Sequence, residues 1–567
     1  MTSNSRSHQL ASICSLLASA LPLILSASLQ AQGRPQGMIH NATRSFTGGS
    51  ANDSGYSAVM SGNGRYVAFD SDASDLVPGD TNGFTDVFVR DMQTGSIIRV
   101  SVSNTGAQSN GDSYVTDILD DGRFVVFDSD ATNLRDPDNN GDLTDVFIAD
   151  ILGFMGGAGS SYVTRVTNGN DAAWGGQVAY VPSGGRLTVA YLSDASNEVS
   201  GDTNGLTDIF IRDILPTSQV RRVSRRPNGA QITNGTPWEL SMSSDARFIA
   251  FTSDSTQVVA GWGNGLEQAF LVDNVASVFT PGWLPSNSAL SGSPSGTPAN
   301  SGCWSVHVSD YAHSVFASDA TNIVAGDTNG TSDAFFKPYF SPTSRLTVGP
   351  GGLQTGTAAD IGAESVALSD GPGPLFVFET DVTGIVPGDT NGTTDTFVGA
   401  PSSYSRVRDW EGQELADGSY APSISADGLH VAVFSWDARL PFNTSNSDGP
   451  FVVDYNRFAA EGPRTANSVQ FEFHCAEDNG LHCLVAVGFS SMPGIVLPGD
   501  TRMFPISQAS SLFISAPVTN GVVSPQMAVP SWLFGSGFTA WITAASLSTT
   551  PAASGLKGMT NPVRFVL

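Results

Sequence analysis

A chain of 567 residues exceeds one ordinary core and divides into two or three domains. Its 40% aliphatic and aromatic content can fill those cores, which excludes wholesale disorder, while 14% charged residues and 61 glycines favour short strands joined by turns. A formal net charge of −27 excludes DNA, RNA and anionic lipid as partners and suits hard divalent cations instead.

At the N-terminus, Arg6 and His8 precede an apolar run from Leu10 to Leu29, followed by small residues. This reads as an export signal over residues 1–31, cleaved after Ala31. A membrane anchor is the alternative, because the run approaches a short span. No later segment reads as spanning a bilayer, so no transmembrane segment is expected after signal removal. The expected location is extracytoplasmic: periplasmic, cell-surface or secreted.

A repeat follows. Ser61-Gly62-Asn63-Gly64-Arg65-Tyr66-Val67-Ala68-Phe69 returns around Arg123 to Phe127, Arg186 to Tyr191 and Arg247 to Phe251, with weaker copies ending at Phe316, Phe378 and Phe434. That makes seven units spaced by roughly sixty residues. In the first unit, a short strand (Tyr56 to Met60), an apolar strand (Tyr66 to Phe69), a polar loop, a third strand from Asp86 and a fourth from Ile97 are predicted. The second strand is apolar on consecutive residues, as expected when both faces are covered, and a propeller blade packed between two neighbours supplies that environment. The seventh unit has no clear fourth strand. Ala42 to Gly49 resembles Ile98 to Gly106, so an N-terminal strand is predicted to complete the last blade and remove the open edges. The fold class is therefore all-β: a seven-bladed β-propeller over 38–460, then a small β-sandwich over 463–567.

The Ser-x-Asp-Gly-Arg-x-Val-Ala-Phe core resembles the TolB-type, WD-repeat-like β-propellers of bacterial extracytoplasmic proteins, over roughly residues 40 to 455. The resemblance implies the fold and a role in protein–protein contacts at the cell envelope. The Ser-x-Asp-Gly turn is also similar to the Asp-box of sialidases, but no arginine cluster or Tyr nucleophile can be placed.

The loop after the second strand carries a carboxylate pattern, Asp-Thr-Asn-Gly-x-(Thr/Ser)-Asp. Its candidate ligands are Asp80, Asn82 and Asp86; Asp138, Asn140 and Asp145; Asp202, Asn204 and Asp208; Asp327, Asn329 and Asp333; and Asp389, Asn391 and Asp395. Oxygen side chains around a Gly turn can converge on Ca²⁺. Asn-Gly turns satisfied by local hydrogen bonds are the alternative. In the fourth unit, Trp262 to Gln268, and in the seventh, Asn443 to Asn446, the first and last carboxylates are lost together, as a ligand set would lose them. Asp72 recurs as Asp130, Asp194, Asp254, Asp319, Asp381 and Asp437, including in units lacking the other acids, and reads as a structural cap.

No nucleophile elbow, zinc-protease motif or phosphate loop occurs. His307, His313 and His430 share no spacing and read as structural. Cys475 and Cys483 flank an Asn-Gly turn and are read as a disulfide, with a metal site including His474 and His482 as the alternative; Cys303 is read as buried. The expected function is a monomeric binding or scaffold propeller for a protein or polysaccharide at the cell envelope, with Ca²⁺ stiffening the rim. The alternative is a carbohydrate-active or other hydrolytic enzyme with its site at the central channel. Acids, a His or Arg, and aromatics on the innermost strands would favour the latter.

Overall fold

The computed structural model describes residues 38–455, apart from 136–137, 153–162, 182–184, 217, 275–285, 358–361, 402, 410–412 and 441–448; within 468–566 it describes backbone strands alone. The export signal read at 1–31 lies outside the described residues. Seven four-stranded antiparallel sheets follow one another. The first comprises Gly55–Met60, Tyr66–Ser71, Asp86–Asp91 and Ile97–Arg99, matching the predicted plan to within a few residues. The first strands of all seven sheets lie against one another around a closed ring. They line a central channel, and each fourth strand lies at the rim. The fold is a seven-bladed β-propeller.

The apolar second strands form the blade cores. Phe69 and Phe88 stack at 5.8 Å, and the pair recurs as Phe127–Phe147 at 5.6 Å, Phe251–Phe270 at 5.8 Å and Phe316–Phe335 at 5.5 Å. Hydrophobic clusters bridge each blade to the next, so the apolar faces of the described blades are covered by their neighbours.

The ring closes as expected, with a shift in position. The strand that completes blade seven is Met38–Asn41, paired with Gly449–Asp454 in the register Met38↔Asp454 to Asn41↔Phe451. The predicted segment from Ala42 makes the following turn instead, where the Gly48 N–H donates to the Ser45 carbonyl, as that of Gly106 does to Ser103. The repeat is also one residue out in blade seven. Pairing aligns Ser435 with Ser71, which puts Val433 at the Phe69 position and Trp436 at the Asp72 position. A one-residue slip turns a strand residue to the other face. The capping carboxylate therefore occupies six blades, and Asp437 stands one residue beyond it.

Cys303 is buried and free. Beyond the propeller, a five-stranded antiparallel sheet contains His482–Gly488 between Ser511–Pro517 and Thr539–Ser548. The hairpin expected across Asn479-Gly480 is not the pairing found, because Phe473–His474 pairs with Val522–Val523. The disulfide expected between Cys475 and Cys483 lies outside the described side chains. Among the described residues, no helix is long and apolar enough to cross a membrane.

The closing strand covers an otherwise bare edge, and Ile39 is buried beside Val453. An Ile39→Asp variant is expected to lose about 2–4 kcal/mol of stability and to aggregate on warming. Unfolding followed by circular dichroism and light scattering checks this; an unchanged midpoint would contradict closure by this strand.

Candidate functional site: the channel mouth and its rim

Seven strands around a narrow ring cannot all run straight, and each innermost strand carries a bulge near its start. The register shifts fall between Gly55 and Ala58, Val115 and Asp117, Trp174 and Gln177, Pro237 and Leu240, Trp304 and His307, Ala363 and Val366, and Tyr420 and Ser423. Two bulge residues, Ser305 and Ala421, sit in the left-handed region at φ 52° and 48°, a conformation that costs a side-chain-bearing residue energy.

A bulge frees amides from the ladder, and buried amides need acceptors. Carboxylates of the same or the preceding blade supply them. Asp70 in blade one accepts from Ser57 N–H at 2.9 Å and from Val115 N–H of blade two at 3.1 Å. Asp128 and Asp117 of blade two accept from Gly175 N–H at 2.8 Å and Val178 N–H at 2.7 Å of blade three. Glu239 of blade four takes the Val306 N–H of blade five, and Glu379 of blade six that of Ala421 in blade seven.

The bulges also set what faces the mouth. The second residue of each innermost strand (in blade seven the first, Tyr420) lies beside the end of the second strand, on the face from which the carboxylate loops leave. Around the ring these residues are Tyr56, Tyr114, Trp174, Trp238, Trp304, Glu364 and Tyr420, aromatic in six blades. Tyr56, Tyr114 and Trp238 are 50%, 41% and 58% exposed, and Trp436 in blade seven adds another aromatic at 44%. Trp174, Trp304 and Tyr420 are half-buried. The strand-end carboxylates stand among them, with Tyr56 Oη donating to Asp72.

The opposite end is drawn together. The turns after the innermost strands bond one to the next: Gly62 N–H to the Asp120 carbonyl at 2.9 Å, Asp427 N–H to Gly62 at 3.0 Å, Asp370 N–H to Ala426 at 2.9 Å, and Ser244 N–H to Asp310 Oδ1 at 2.7 Å. A Cβ on Gly62 would stand 2.8 Å from Asp120 Oδ1, so a larger residue there would push the Asp120 side chain aside. Burial, then the neighbouring Asp310 and Asp120 charges, push the Asp370 carboxyl up to about 7. These bonded turns draw together the end opposite the aromatic mouth.

At the outer rim, the carboxylates of each predicted loop do come together, and each pair holds an arginine. Arg99 Nη1 is 2.8 Å from both Asp80 and Asp86. Arg165 is 3.4 Å from Asp138 and 3.5 Å from Asp145; Arg222 is 3.0 Å from Asp202 and 3.5 Å from Asp208. Arg345 is 3.4 Å from Asp327 and 3.0 Å from Asp333; Arg406 is 3.1 Å from Asp389, 3.2 Å from Asp395 and 2.6 Å from Glu414. The asparagines turn their amide NH₂ to the carboxylate, Asn82 to Asp86 at 3.0 Å, Asn204 to Asp208 at 2.9 Å, Asn329 to Asp333 at 3.3 Å and Asn391 to Asp395 at 3.1 Å. In blade two, Asn140 donates to the Asp171 carbonyl instead.

Ca²⁺ takes six to eight oxygens. Here two carboxylates converge, a guanidinium lies on them, and the neighbouring amide presents hydrogen. In that arrangement these residues do not fit Ca²⁺, since the arginine would have to leave. Blade six is the richest in acid, because Glu414 stands where Gln108, Gln231 and Gln354 serve the other loops.

The sequence reading missed the arginines. In four of the five their signal is Arg-(Val/Leu)-(Ser/Thr) at the fourth strand, as in Arg99-Val100-Ser101, Arg165-Val166-Thr167 and Arg222-Val223-Ser224, whereas Arg406 is followed by Val407-Arg408. It also missed that the arginine disappears with the acids. In blade four the corresponding residues are Trp262, Gln268 and Ala289, and in blade seven Gly449 and Asn41 stand at the second acid and the arginine. The capping role read for Asp72 is met by Thr85 Oγ1, which donates to it at 2.6 Å, as Thr144 does to Asp130 and Thr207 to Asp194, each at 2.6 Å. His307 is half-buried, and desolvation lowers its imidazole to about 4; His430 packs over Gly64 and lies 3.4 Å from Asp454.

Neither a known protein family nor any curated protein matches this sequence. Solved structures do. A TolB protein from Agrobacterium tumefaciens is 14% identical over 55% of this chain and 88% of its own, with a TM-score of 0.30. The Cps50 (Swd1) β-propeller domain of Myceliophteria thermophila is 9% identical over 74% of this chain and 99% of its own, at 0.39. A prolyl endopeptidase is 11% identical over 84% of this chain, at 0.39, and this chain spans 60% of its length. The resemblance to TolB-type and WD-repeat-like propellers is one of fold.

Two outcomes follow from these contacts. Arg222→Ala leaves Asp202 and Asp208 as a buried uncompensated pair and is expected to cost about 3–5 kcal/mol in denaturant unfolding. Adding Ca²⁺ to the wild type is expected to leave its melting midpoint unchanged; a clear rise would mean that the loops bind metal despite the arginines.

A third outcome concerns pH. Burial drives Asp70, Asp117, Asp128 and Glu379 up to about 7, against the amides that favour their ionised forms. Unfolded carboxyls titrate near about 4. Their contribution to stability is whole below about pH 4 and is lost as pH rises through about 7. Glu414 behaves oppositely: hydrogen bonds from Thr390 and Asn391 outweigh burial and bring it down to about 2, so its contribution is lost only in strong acid. The melting midpoint is expected to fall from about pH 5 to pH 8, and a flat or rising profile would contradict the buried-carboxylate account.

Proposed function

We propose that this chain is an extracytoplasmic binding protein whose recognition surface is the aromatic mouth of the central channel. The observation that carries this reading is an exposed aromatic crown repeated on the innermost strands. Soluble proteins rarely leave several large aromatics exposed on one face without a partner, and Trp and Tyr dominate binding hot spots. The bulges, the caps and the closed far end are the scaffold that holds the crown in place. The N-terminal apolar run supports export. In this reading the rim loops are closed by arginines, Ca²⁺ is not required, and the C-terminal strands belong to an accessory domain.

A carbohydrate-active enzyme at the same mouth is the second reading, favoured by the exposed Glu364 among the aromatics. Glycoside hydrolysis uses a pair of carboxylates flanking the bond. Glu239, on the innermost strand of blade four, is engaged by the Val306 N–H at 3.2 Å. Binding without turnover is the better match.

Trp238→Ala and Trp436→Ala are expected to weaken any ligand found by intrinsic-fluorescence screening by about tenfold or more. Both side chains are well exposed, so the thermal midpoint is expected to stay within about 1 °C. Ligands whose affinity ignores both substitutions would place recognition elsewhere.

A further inference from the structure

Resting on the channel mouth as the binding face, we infer that its ligand is cationic: a lysine- or arginine-bearing extended segment of a partner protein, with a basic side chain seated among the aromatics. Three observations converge on this chemistry. First, the carboxylates Asp72, Asp130, Asp194, Asp254, Asp319 and Asp381 encircle the crown at the ends of the second strands, and four of them (Asp72, Asp130, Asp194 and Asp319) are exposed. Exposed Glu364 takes the aromatic position in blade six. Aromatic faces and carboxylates together are what a desolvated cation seeks, through its attraction to the ring face and to the anionic oxygens.

Second, cations are absent from the crown strands themselves. None of the seven innermost strands carries Lys or Arg. Arg439, on the rim of blade seven, is held by Asp437 and Asp409. Arg65, Arg123 and Arg247 belong to the opposite face, each lying over the aromatic ring that follows it, at 4.9, 4.7 and 4.5 Å. They pair there with Asp91, Asp150 and Asp273. The crown therefore meets no cation on its own strands, whereas the far end carries paired arginines beside its aromatic rings.

Third, the chain as a whole carries −27, so a basic partner is drawn in from a distance and an acidic one is repelled. The turns drawn together at the far end carry the Asp310 carboxylate, which accepts the Ser244 N–H there.

Titration of the full mature chain with four probes tests this: a lysine hexapeptide, an arginine hexapeptide, a glutamate hexapeptide and the neutral glucan cellohexaose. Tryptophan fluorescence and calorimetry are the readouts. A basic hexapeptide is expected to bind, the glutamate peptide not. Trp238→Ala is expected to raise its Kd about tenfold or more, Glu364→Gln about threefold, and 0.5 M salt to weaken it further. Asp121→Asn, an exposed acid on the opposite face, is expected to change nothing. Equal losses in Asp121→Asn and Glu364→Gln would show general attraction to an acidic protein and overturn the inference. Trp238-dependent, salt-insensitive binding of cellohexaose with no binding of the basic peptides would overturn the cation while leaving the mouth as the binding face. If no probe depends on Trp238 or Trp436, the binding face falls too.

Discussion

The structure depends on one contact: a carboxylate accepting the amides that a bulge sets free, from its own blade and the next for Asp70 and from the next blade for Asp128, Asp117, Glu239 and Glu379. Seven innermost strands have to approach one another around a channel, and the bulge is how each turns its first residues out of the stack. Without an acceptor, each freed amide would cost about 1–3 kcal/mol in the interior. Asp70 serves two blades at once, which makes the acceptor a joint between sheets as well as a cap within one. The aromatic crown is a consequence, since the bulge falls at or just beyond the crown residue, close to where Tyr114 and Trp238 reach the mouth. Scaffold and recognition surface are set by the same backbone irregularity.

The chain places its acids in three different environments. Those under the innermost strands are buried and pushed towards neutrality. Those of the rim loops are buried but paired with arginine. Those at the strand ends are largely exposed and held in place by a threonine hydroxyl. The −27 total sets the long-range field, while the local pattern is set by which carboxylates face amides and guanidinium groups inside. What remains outward at the mouth is a ring of single charges beside aromatic rings.

Much of this was legible in the sequence and some of it was not, for physical reasons. The unit count, the consecutive apolar second strands and the borrowed closing strand follow from burial on both faces and from edge avoidance, which leave period and composition as traces. The carboxylate loops were equally visible, but their partner was not. Asp80 and Arg99 lie nineteen residues apart, and the spacing to the second acid varies among blades, so no fixed motif joins them. The co-loss in blade four was read from the acids alone, whereas Ala289 shows that the cation went with them. The slip at Trp436 arose because Phe434 imitates Phe69 in sequence, and only strand pairing shows that Val433 fills that place. The crown was hidden because its residues sit one per repeat at a position whose exposure is set by a bulge, and bulges leave no composition signal.

The departures from seven-fold repetition bear on how a ligand would be oriented. A perfectly repeated crown would offer the same contact in seven directions and fix no pose. Blade six replaces the aromatic with Glu364, and blade seven replaces the capping acid with Trp436, so charge and ring change places on adjacent blades. Across the ring, blade four presents Trp238, the most exposed ring of the innermost strands, on the sheet whose rim clasp has been exchanged for Trp262 and Gln268. A basic side chain held between Glu364 and the rings of blades four and seven would meet its charge on one side and apolar surface on the other. The rest of an extended segment would then run across the mouth in one direction, which is the asymmetry a specific partner requires and which the underlying repeat alone does not provide.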